Sequence, residues 1–225
     1  MSTRLEAKLD GRSGIAMLSI RGFLSVAGDV SARAPDSQCA YVLQLARTLA
    51  RFGHDVDIWT RPLSNQPALE WVVPGVRILR VPCWGRDSGS DPSSARSAVE
   101  WSEHVLSVVE DQGLEYAFLN SHFWDAGLAA HYLCAALRIP HVHTPHSLGL
   151  ALYPGLGGHA SRPEACDRES PFDRDALEER VASERMVSNG AQLVVAMSPE
   201  QKQLLRSAYG VPADRLSSCH PLEPR

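Results

Sequence analysis

The sequence predicts a single α/β domain whose mainly parallel central sheet has helices on both faces. Short apolar runs that suit buried strands alternate with longer segments of helical periodicity. The chain has 225 residues, 44% of them hydrophobic, which is enough for one large domain with a substantial core. These observations favour a doubly wound, Rossmann-like fold.

The first part of the chain is predicted to contain a strand, a helix and two more strands. Residues 15–20 are an apolar run bounded by glycines, typical of a strand that is buried on both faces. Gly53 is expected to end the helix that follows. Residues 54–60 and 76–81 are the next two predicted strands. Four side chains at helical spacing are expected to form the buried face of the helix: Tyr41, Leu45, Leu49 and Phe52.

The rest of the chain continues this alternation. Two segments rich in Gly, Pro and Ser, residues 83–95 and 150–171, are predicted to be loops. Ser198, Pro199 and Gln201 form a helix start signal, in which Ser198 caps and Gln201 closes a capping box. The predicted elements are helices at 96–112, 127–137, 172–190 and from 198, and strands at 116–120, 141–144, 192–197 and within 211–219.

Composition excludes several classes of protein. The net charge is -4 and there is no long basic run, which argues against nucleic-acid binding. No apolar segment approaches the roughly 20 residues of a membrane span, and residues 1–14 are too polar for a signal peptide. The five cysteines are odd in number and far apart, which favours reduced thiols in a cytoplasmic protein.

Two histidine-bearing segments carry the functional prediction. Residues 121–125 and 141–149 each follow, or overlap, an apolar run that is a predicted strand. Loops at the carboxyl ends of parallel strands converge on one crevice, so both segments should face the same ligand. The sequence therefore predicts a small-molecule site at this edge of the sheet.

Three stretches also match a known pattern. They are residues 41–57, the segment S-H-F-W-D-A-G at 121–127 and the segment V-H-T-P-H-S-L-G at 142–149. In this order and spacing they resemble the N-terminal domain of family 4 glycosyltransferases, which have the two-domain GT-B architecture. The resemblance is strongest to the sucrose-phosphate synthase-like branch.

The resemblance implies transfer of a sugar from a nucleotide-sugar to an acceptor hydroxyl, with retention of anomeric configuration. In that family the N-terminal half chiefly binds the acceptor, a sugar or sugar phosphate. We therefore expect an acceptor-side domain at 15–221, preceded by a polar extension at 1–14. The C-terminal half, which grips the nucleotide-sugar, is expected to be absent from the 225 residues. The nucleotide-sugar is a co-substrate, so no resident cofactor is expected.

The site residues that follow from the resemblance surround one histidine. His122 matches the catalytic histidine beside the transferred sugar, where a neutral imidazole can orient the reacting pair. Trp124 either stacks on a sugar face or packs in the core. Arg21 and Gly22 follow the first strand, and the guanidinium can reach acceptor oxygens. The other expected substrate-binding residues are Gln38, Asp125, Thr144, His146, Arg180 and Glu184, although the charges at 178–185 also suit a solvated helix face with internal pairing.

The sequence departs from the family pattern at three places. Asp36 and Ser37, either of which can cap the first helix, stand where the family has a Gly-Gly pair. A carboxylate there would occupy the place of an anionic ligand. Residues 150–152 lack the basic side chain that a phosphate-binding acceptor site would favour, and the segment after Cys219 lacks the family's Pro-Gly hinge. These departures argue against a bound substrate phosphate.

Three functions stay open at this point. The chain is the acceptor-binding half of a glycosyltransferase, either a fragment or a subunit completed by a separate donor-binding chain, and a partner or self-association is expected to cover its cleft face. Alternatively, it is a catalytically silent relic that binds a sugar-like ligand or a protein partner. The third reading is a metal-dependent hydrolase that uses His141, His143 and His146, because H-x-H on a strand puts both rings on one face.

Overall fold

The computed structural model describes residues 14–20, 24, 37–62, 66–82, 95–152 and 174–219. Within these stretches the chain forms eight strands and six α-helices. The strands are β1 (Gly14–Leu18), β2 (Val56–Thr60), β3 (Leu69–Val73), β4 (Val76–Arg80), β5 (Tyr116–His122), β6 (His141–Thr144), β7 (Leu193–Ala196) and β8 (Leu216–Ser218). The helices are α1 (Ser37–Arg51), α2 (Ala95–Gln112), α3 (Trp124–Leu137), α4 (Gly149–Leu152), α5 (Arg174–Gly190) and α6 (Pro199–Ser207).

All eight strands belong to one sheet in the order β3-β4-β2-β1-β5-β6-β7-β8. Every neighbouring pair is parallel except β3 and β4, which are antiparallel. The chain leaves β1 toward β2 on one side and returns to β5 on the other. The carboxyl ends of β1 and β5 therefore flank the topological switch point, where open α/β sheets bind ligands.

Helices cover both faces of the sheet, as alternation along β1 requires. Ala16 and Leu18 pack with residues of α2 and α3, whereas Ile15 and Met17 pack with residues of α1. Successive side chains of a strand point to opposite faces, so α1 lies on one face and the α2 and α3 pair on the other. The predicted doubly wound α/β fold is confirmed.

A buried ion pair joins β2 to β4 inside the sheet. The Asp57 carboxylate accepts hydrogen bonds from Arg77 Nε and Nη2 at 2.5 and 2.9 Å, and both side chains are 3% exposed. The Tyr116 hydroxyl donates to the same carboxylate at 2.7 Å, and Trp59 Nε1 donates to that hydroxyl at 3.2 Å. Each buried polar group in this cluster thus has a partner, which is what burial of charge demands.

The predicted helices and strands are confirmed within a few residues, with three differences. Strand β3 was not predicted, because its mixed apolar and polar residues form a hairpin arm that is only half buried. Helix α1 buries Cys39, Val42 and Ala46, while Phe52 is 77% exposed, so the predicted apolar face is wrong in part. Helix α1 ends at Arg51, and the chain turns at Gly53, which has φ 87°. Phe52 lies in this turn, outside the helix, and does not pack in the core.

The third difference lies in the predicted loop at 150–171, where a short helix, α4, occupies its beginning. The start signal of α6 is confirmed, because Ser198 Oγ accepts a hydrogen bond from the Gln201 amide at 3.1 Å. Gln201 Oε1 accepts from the Met197 amide, one residue before the expected position. No described helix has both the length and the apolar composition to span a bilayer.

Candidate functional site

Two histidines from neighbouring parts of the sheet meet near the switch point. His122 ends β5 and His146 follows β6, and the distance from His122 Nδ1 to His146 Nε2 is 3.0 Å. His122 is 0% exposed, and its Nε2 has no hydrogen-bond partner in the described part of the chain. Burial, followed by the neighbouring His146, lowers the pKa of His122 well below its usual value, so the ring is neutral at pH 7.

Tyr41 of α1 packs against both imidazoles. Its ring meets His146 and His122 edge-on, with centroid distances of 5.3 and 5.9 Å. The Tyr41 hydroxyl contacts Cys219 Sγ at 3.8 Å, and burial raises the pKa of Tyr41. Tyr41 was not predicted as a site residue, although its position three residues after Gln38 on a helix places both on one face.

Gln38 ties the ends of the two switch-point strands together. Its Nε2 lies 3.3 Å from Ser19 Oγ, just after β1, and 3.3 Å from the backbone oxygen of His122 at the end of β5. Gln38 is 6% exposed and stands in the first turn of α1. Its amide therefore holds the backbone that carries His122.

The backbone is strained at His146 and at Phe123, the residue after His122. Phe123 has φ 77° and ψ 164°, and His146 has φ 60°. Residues other than glycine rarely adopt positive φ, and such strain concentrates at binding and catalytic sites. The Phe123 amide donates to the Thr144 carbonyl at 3.0 Å, which stabilises the sharp turn from β5 into α3.

A buried carboxylate holds the segment that carries His146. Glu184 of α5 is 1% exposed and accepts hydrogen bonds from the Gly149 amide, at 2.9 Å to Oε2 and 3.1 Å to Oε1. It also accepts from Arg180 Nε at 2.8 Å and from the Tyr209 hydroxyl. These contacts anchor the start of α4, three residues after His146.

Arg180 connects this anchor to the strained turn. Its Nη2 donates to Ser147 Oγ at 3.1 Å, and its guanidinium lies 4.9 Å from the centre of the Phe123 ring. The expectation of a solvated helix face with internal pairing holds only for the pairing here, because the Arg180 and Glu184 side chains are 16% and 1% exposed.

His141 and His143 lie on the other face of the sheet. Ser121 Oγ lies 2.8 Å from His141 Nε2 and 2.8 Å from His143 Nδ1. In β5, Leu119 packs with α2 and α3, so Ser121, two residues later, shares that face, while Phe118 packs with α1. Burial, with His131 a lesser cause, lowers the pKa of His141 to about 3.

Because of this separation, the three histidines expected to bind the metal ion of a hydrolase do not lie together. His141 and His143 do share a face, but His146 lies with His122 on the α1 side. Among the residues with described structure, no group of three or more His, Cys, Asp or Glu side chains is arranged to hold a metal ion.

The remaining predicted site residues fall into two groups. Thr144 is 1% exposed and pairs in register with His122, so it borders the histidine pair. Trp124 and Asp125 begin α3 and are 6% and 3% exposed, and Asp125 Oδ1 accepts from the Ala126 amide at 2.7 Å. Burial of Trp124 fits the packing alternative rather than an open stacking surface. Arg21 and Gly22 lie outside the described residues, as do Asp36, 83–94, 153–173 and 220–225.

An open cavity of about 820 Å³ lies beyond the carboxyl ends of β7 and β8. It is bounded by α6 and by Cys219, whose Sγ contacts the Tyr41 hydroxyl. Lys202 and Arg206, one turn apart on α6, supply its positive charge. This cavity was not predicted from the sequence, because its walls come from elements that are adjacent only in the folded chain.

Gly127 allows α3 to approach the sheet closely, and Gly127→Ala is expected to lower the free energy of unfolding by about 1–3 kcal/mol. A Cβ there would lie 2.7 Å from both His143 Cε1 and Val187 Cγ1. Ala favours a helix over Gly by about 1 kcal/mol, so only crowding can produce a net loss. Urea denaturation measures the difference. Ala136→Ser, on the exposed side of α3, is the control and should change stability by less than about 0.5 kcal/mol. Unchanged stability of Gly127→Ala would contradict the close packing.

Comparison with known proteins gives consistent matches. The family model of the glycosyl transferase 4-like domain matches residues 39–218. Mannosylfructose-phosphate synthase from Agrobacterium fabrum is 37% identical over 198 residues, which are 88% of this chain and 42% of that protein. D-inositol 3-phosphate glycosyltransferase from Pseudarthrobacter chlorophenolicus is 31% identical and is matched over 80% of this chain and 40% of its own length.

A solved structure of sucrose-phosphate synthase from Thermosynechococcus elongatus has a similar fold, with a TM-score of 0.70 at 24% identity. The match covers 92% of this chain and 47% of that chain. The 225 residues thus span about two fifths of the length of the curated relatives that they match.

Proposed function

Because the chain belongs to the glycosyl transferase 4-like domain family, we propose that it is the acceptor-binding half of a retaining glycosyltransferase. The reaction moves a sugar from a nucleotide-sugar to an acceptor hydroxyl and releases the nucleotide. The observation that carries the proposal is the buried, neutral His122 at the topological switch point of the sheet, whose Nε2 has no hydrogen-bond partner among the described residues.

An unpaired buried nitrogen is costly unless a ligand satisfies it. A sugar offers hydroxyl oxygens that can pair with an imidazole N–H and hydroxyl protons that can pair with a bare ring nitrogen. His122 is anchored through its backbone oxygen by Gln38 and through its ring by His146 and Tyr41. Such a held group orients a sugar, and orientation lowers the barrier to transfer.

The acceptor that we propose is a sugar or a sugar phosphate. The names of two relatives, mannosylfructose-phosphate synthase and D-inositol 3-phosphate glycosyltransferase, support this class. Arg180 is a cation near the histidine pair, but Glu184 already neutralises it. The phosphate of a sugar phosphate would therefore compete with Glu184 for Arg180. Binding of the same sugar without its phosphate shows whether the phosphate contributes to affinity.

The donor-binding half lies outside the 225 residues in this proposal, because the matched relatives extend well beyond the matched region. It would be supplied by another polypeptide or segment, and the nucleotide-sugar would enter as a co-substrate. We infer a cytoplasmic location, which the odd number and wide spacing of the five cysteines support.

Histidine side-chain NMR tests acceptor binding directly. Titration with a hexose 6-phosphate, and separately with the same hexose, is expected to shift the ring signals of His122 and His146. His54 is the internal control, since it is exposed and precedes the amino end of β2, whereas His122 lies at the carboxyl end of β5. Shifts confined to His54, or no shift with either ligand, would contradict acceptor binding at this site.

A further inference from the structure

The two site histidines share one hydrogen bond, and it can hold only one proton. His122 Nδ1 and His146 Nε2 lie 3.0 Å apart, within hydrogen-bond distance. A neutral imidazole has one N–H and one bare nitrogen, so one ring must donate and the other accept. The direction of this bond decides what His122 presents at Nε2.

Two arrangements satisfy the geometry. If His122 donates from Nδ1, its Nε2 is a bare acceptor, and His146 must carry its own proton on Nδ1. If His146 donates from Nε2, the proton of His122 is on Nε2, which then faces the ligand as a donor. Neutral histidine side chains intrinsically prefer protonation at Nε2. The second arrangement gives both rings the preferred form, whereas the first gives both the disfavoured one.

We propose that His146 is a positioning residue that donates its Nε2–H to His122 Nδ1 and thereby makes His122 a hydrogen-bond donor toward a sugar oxygen. The sugar part of this inference rests on the proposed function, and the direction of the hydrogen bond does not. In this arrangement His122 Nε2 donates a hydrogen bond to an oxygen of the ligand. It therefore binds and orients the sugar and does not remove a proton from it.

The surrounding contacts hold the His146 ring beside His122. Its backbone is in the left-handed region at φ 60°, and Tyr41 packs edge-on against its ring. On the carboxyl side of His146, Ser147 accepts from Arg180, and Gly149 is anchored by Glu184. Burial lowers the pKa of His122 and keeps the ring neutral. The ring therefore carries a single proton, on either Nδ1 or Nε2.

The tautomer of His122 can be read in the ligand-free chain. Long-range ¹H–¹⁵N correlation spectra of ¹⁵N-labelled protein distinguish the protonated ring nitrogen from the bare one. We expect His122 to be protonated at Nε2, with Nδ1 shifted as a hydrogen-bonded acceptor. The loss of one signal set in His122→Asn assigns the ring. A proton on Nδ1 of His122, or comparable populations of both tautomers, would overturn the inference.

Two substitutions at residue 146 separate the hydrogen bond from the backbone. His146→Gln keeps an N–H donor, whereas His146→Leu removes it. Both substitutions place a residue other than glycine at the same positive φ, so the backbone strain is matched. We expect His122 to stay protonated at Nε2 in His146→Gln and to populate both tautomers in His146→Leu. An identical His122 spectrum in His146→Leu and the wild type would overturn the positioning role. Failure to bind sugar would leave these spectra unchanged, so the proposed function and this inference fail separately.

Discussion

Replacing Asp57 by Asn is expected to lower the free energy of unfolding by about 3–5 kcal/mol. The Asp57 and Arg77 side chains are each 3% exposed and form two hydrogen bonds with each other. The substitution removes the negative charge of Asp57 and leaves the buried guanidinium without that carboxylate. The amide of asparagine also replaces the carboxylate whose oxygen accepts hydrogen bonds from the Tyr116 hydroxyl and from Arg77.

A matched control is available on the surface of the same chain. Arg174 and Glu178 form an ion pair one turn apart on α5, with side chains 73% and 55% exposed. Water screens this pair, so Glu178→Gln should change the free energy of unfolding by less than about 1 kcal/mol. Urea denaturation followed by circular dichroism measures both variants. Equal, small losses in the two variants would show that the buried pair does not stabilise the fold as expected.

Replacing His122 by Ala is expected to lower kcat/KM by about 100-fold in a chain that has been completed with a donor-binding half. We expect no sugar transfer by residues 1–225 alone, because acceptor and donor must be held together in one cleft. A fusion to the C-terminal half of mannosylfructose-phosphate synthase, the relative with 37% identity, provides the completed enzyme. Released nucleotide and the retained anomeric configuration of the product are measured.

His54→Ala serves as the control, because His54 is exposed at the opposite edge of the sheet. Its kcat/KM should equal that of the unsubstituted fusion. Equal activity of His122→Ala and the unsubstituted fusion would contradict the catalytic placement of His122. A fusion that binds the acceptor at His122 and transfers nothing would favour the silent, sugar-binding relic.

Much of the fold was predictable because its signals are local. The apolar runs at 15–20 and 192–197 and the start signal at Ser198 each appear within a few consecutive residues. Strand β3 was missed because its stability comes from pairing with β4, which a short mixed pattern does not reveal. The buried face of α1 was mistaken in part because several rotations of that helix offer apolar residues, and packing selects one.

The sequence by itself determined the doubly wound fold and the convergence of the segments around His122 and His146, because carboxyl ends of parallel strands lie at one edge whatever the side chains do. Only the tertiary structure decided which histidines act together. A strand's side chains alternate between faces, so His141 and His143 pair with Ser121 on one side, and His122 and His146 meet Tyr41 on the other. The buried anchors at Glu184 and Asp57 join residues 35 and 20 positions apart, and local patterns carry no information about such contacts.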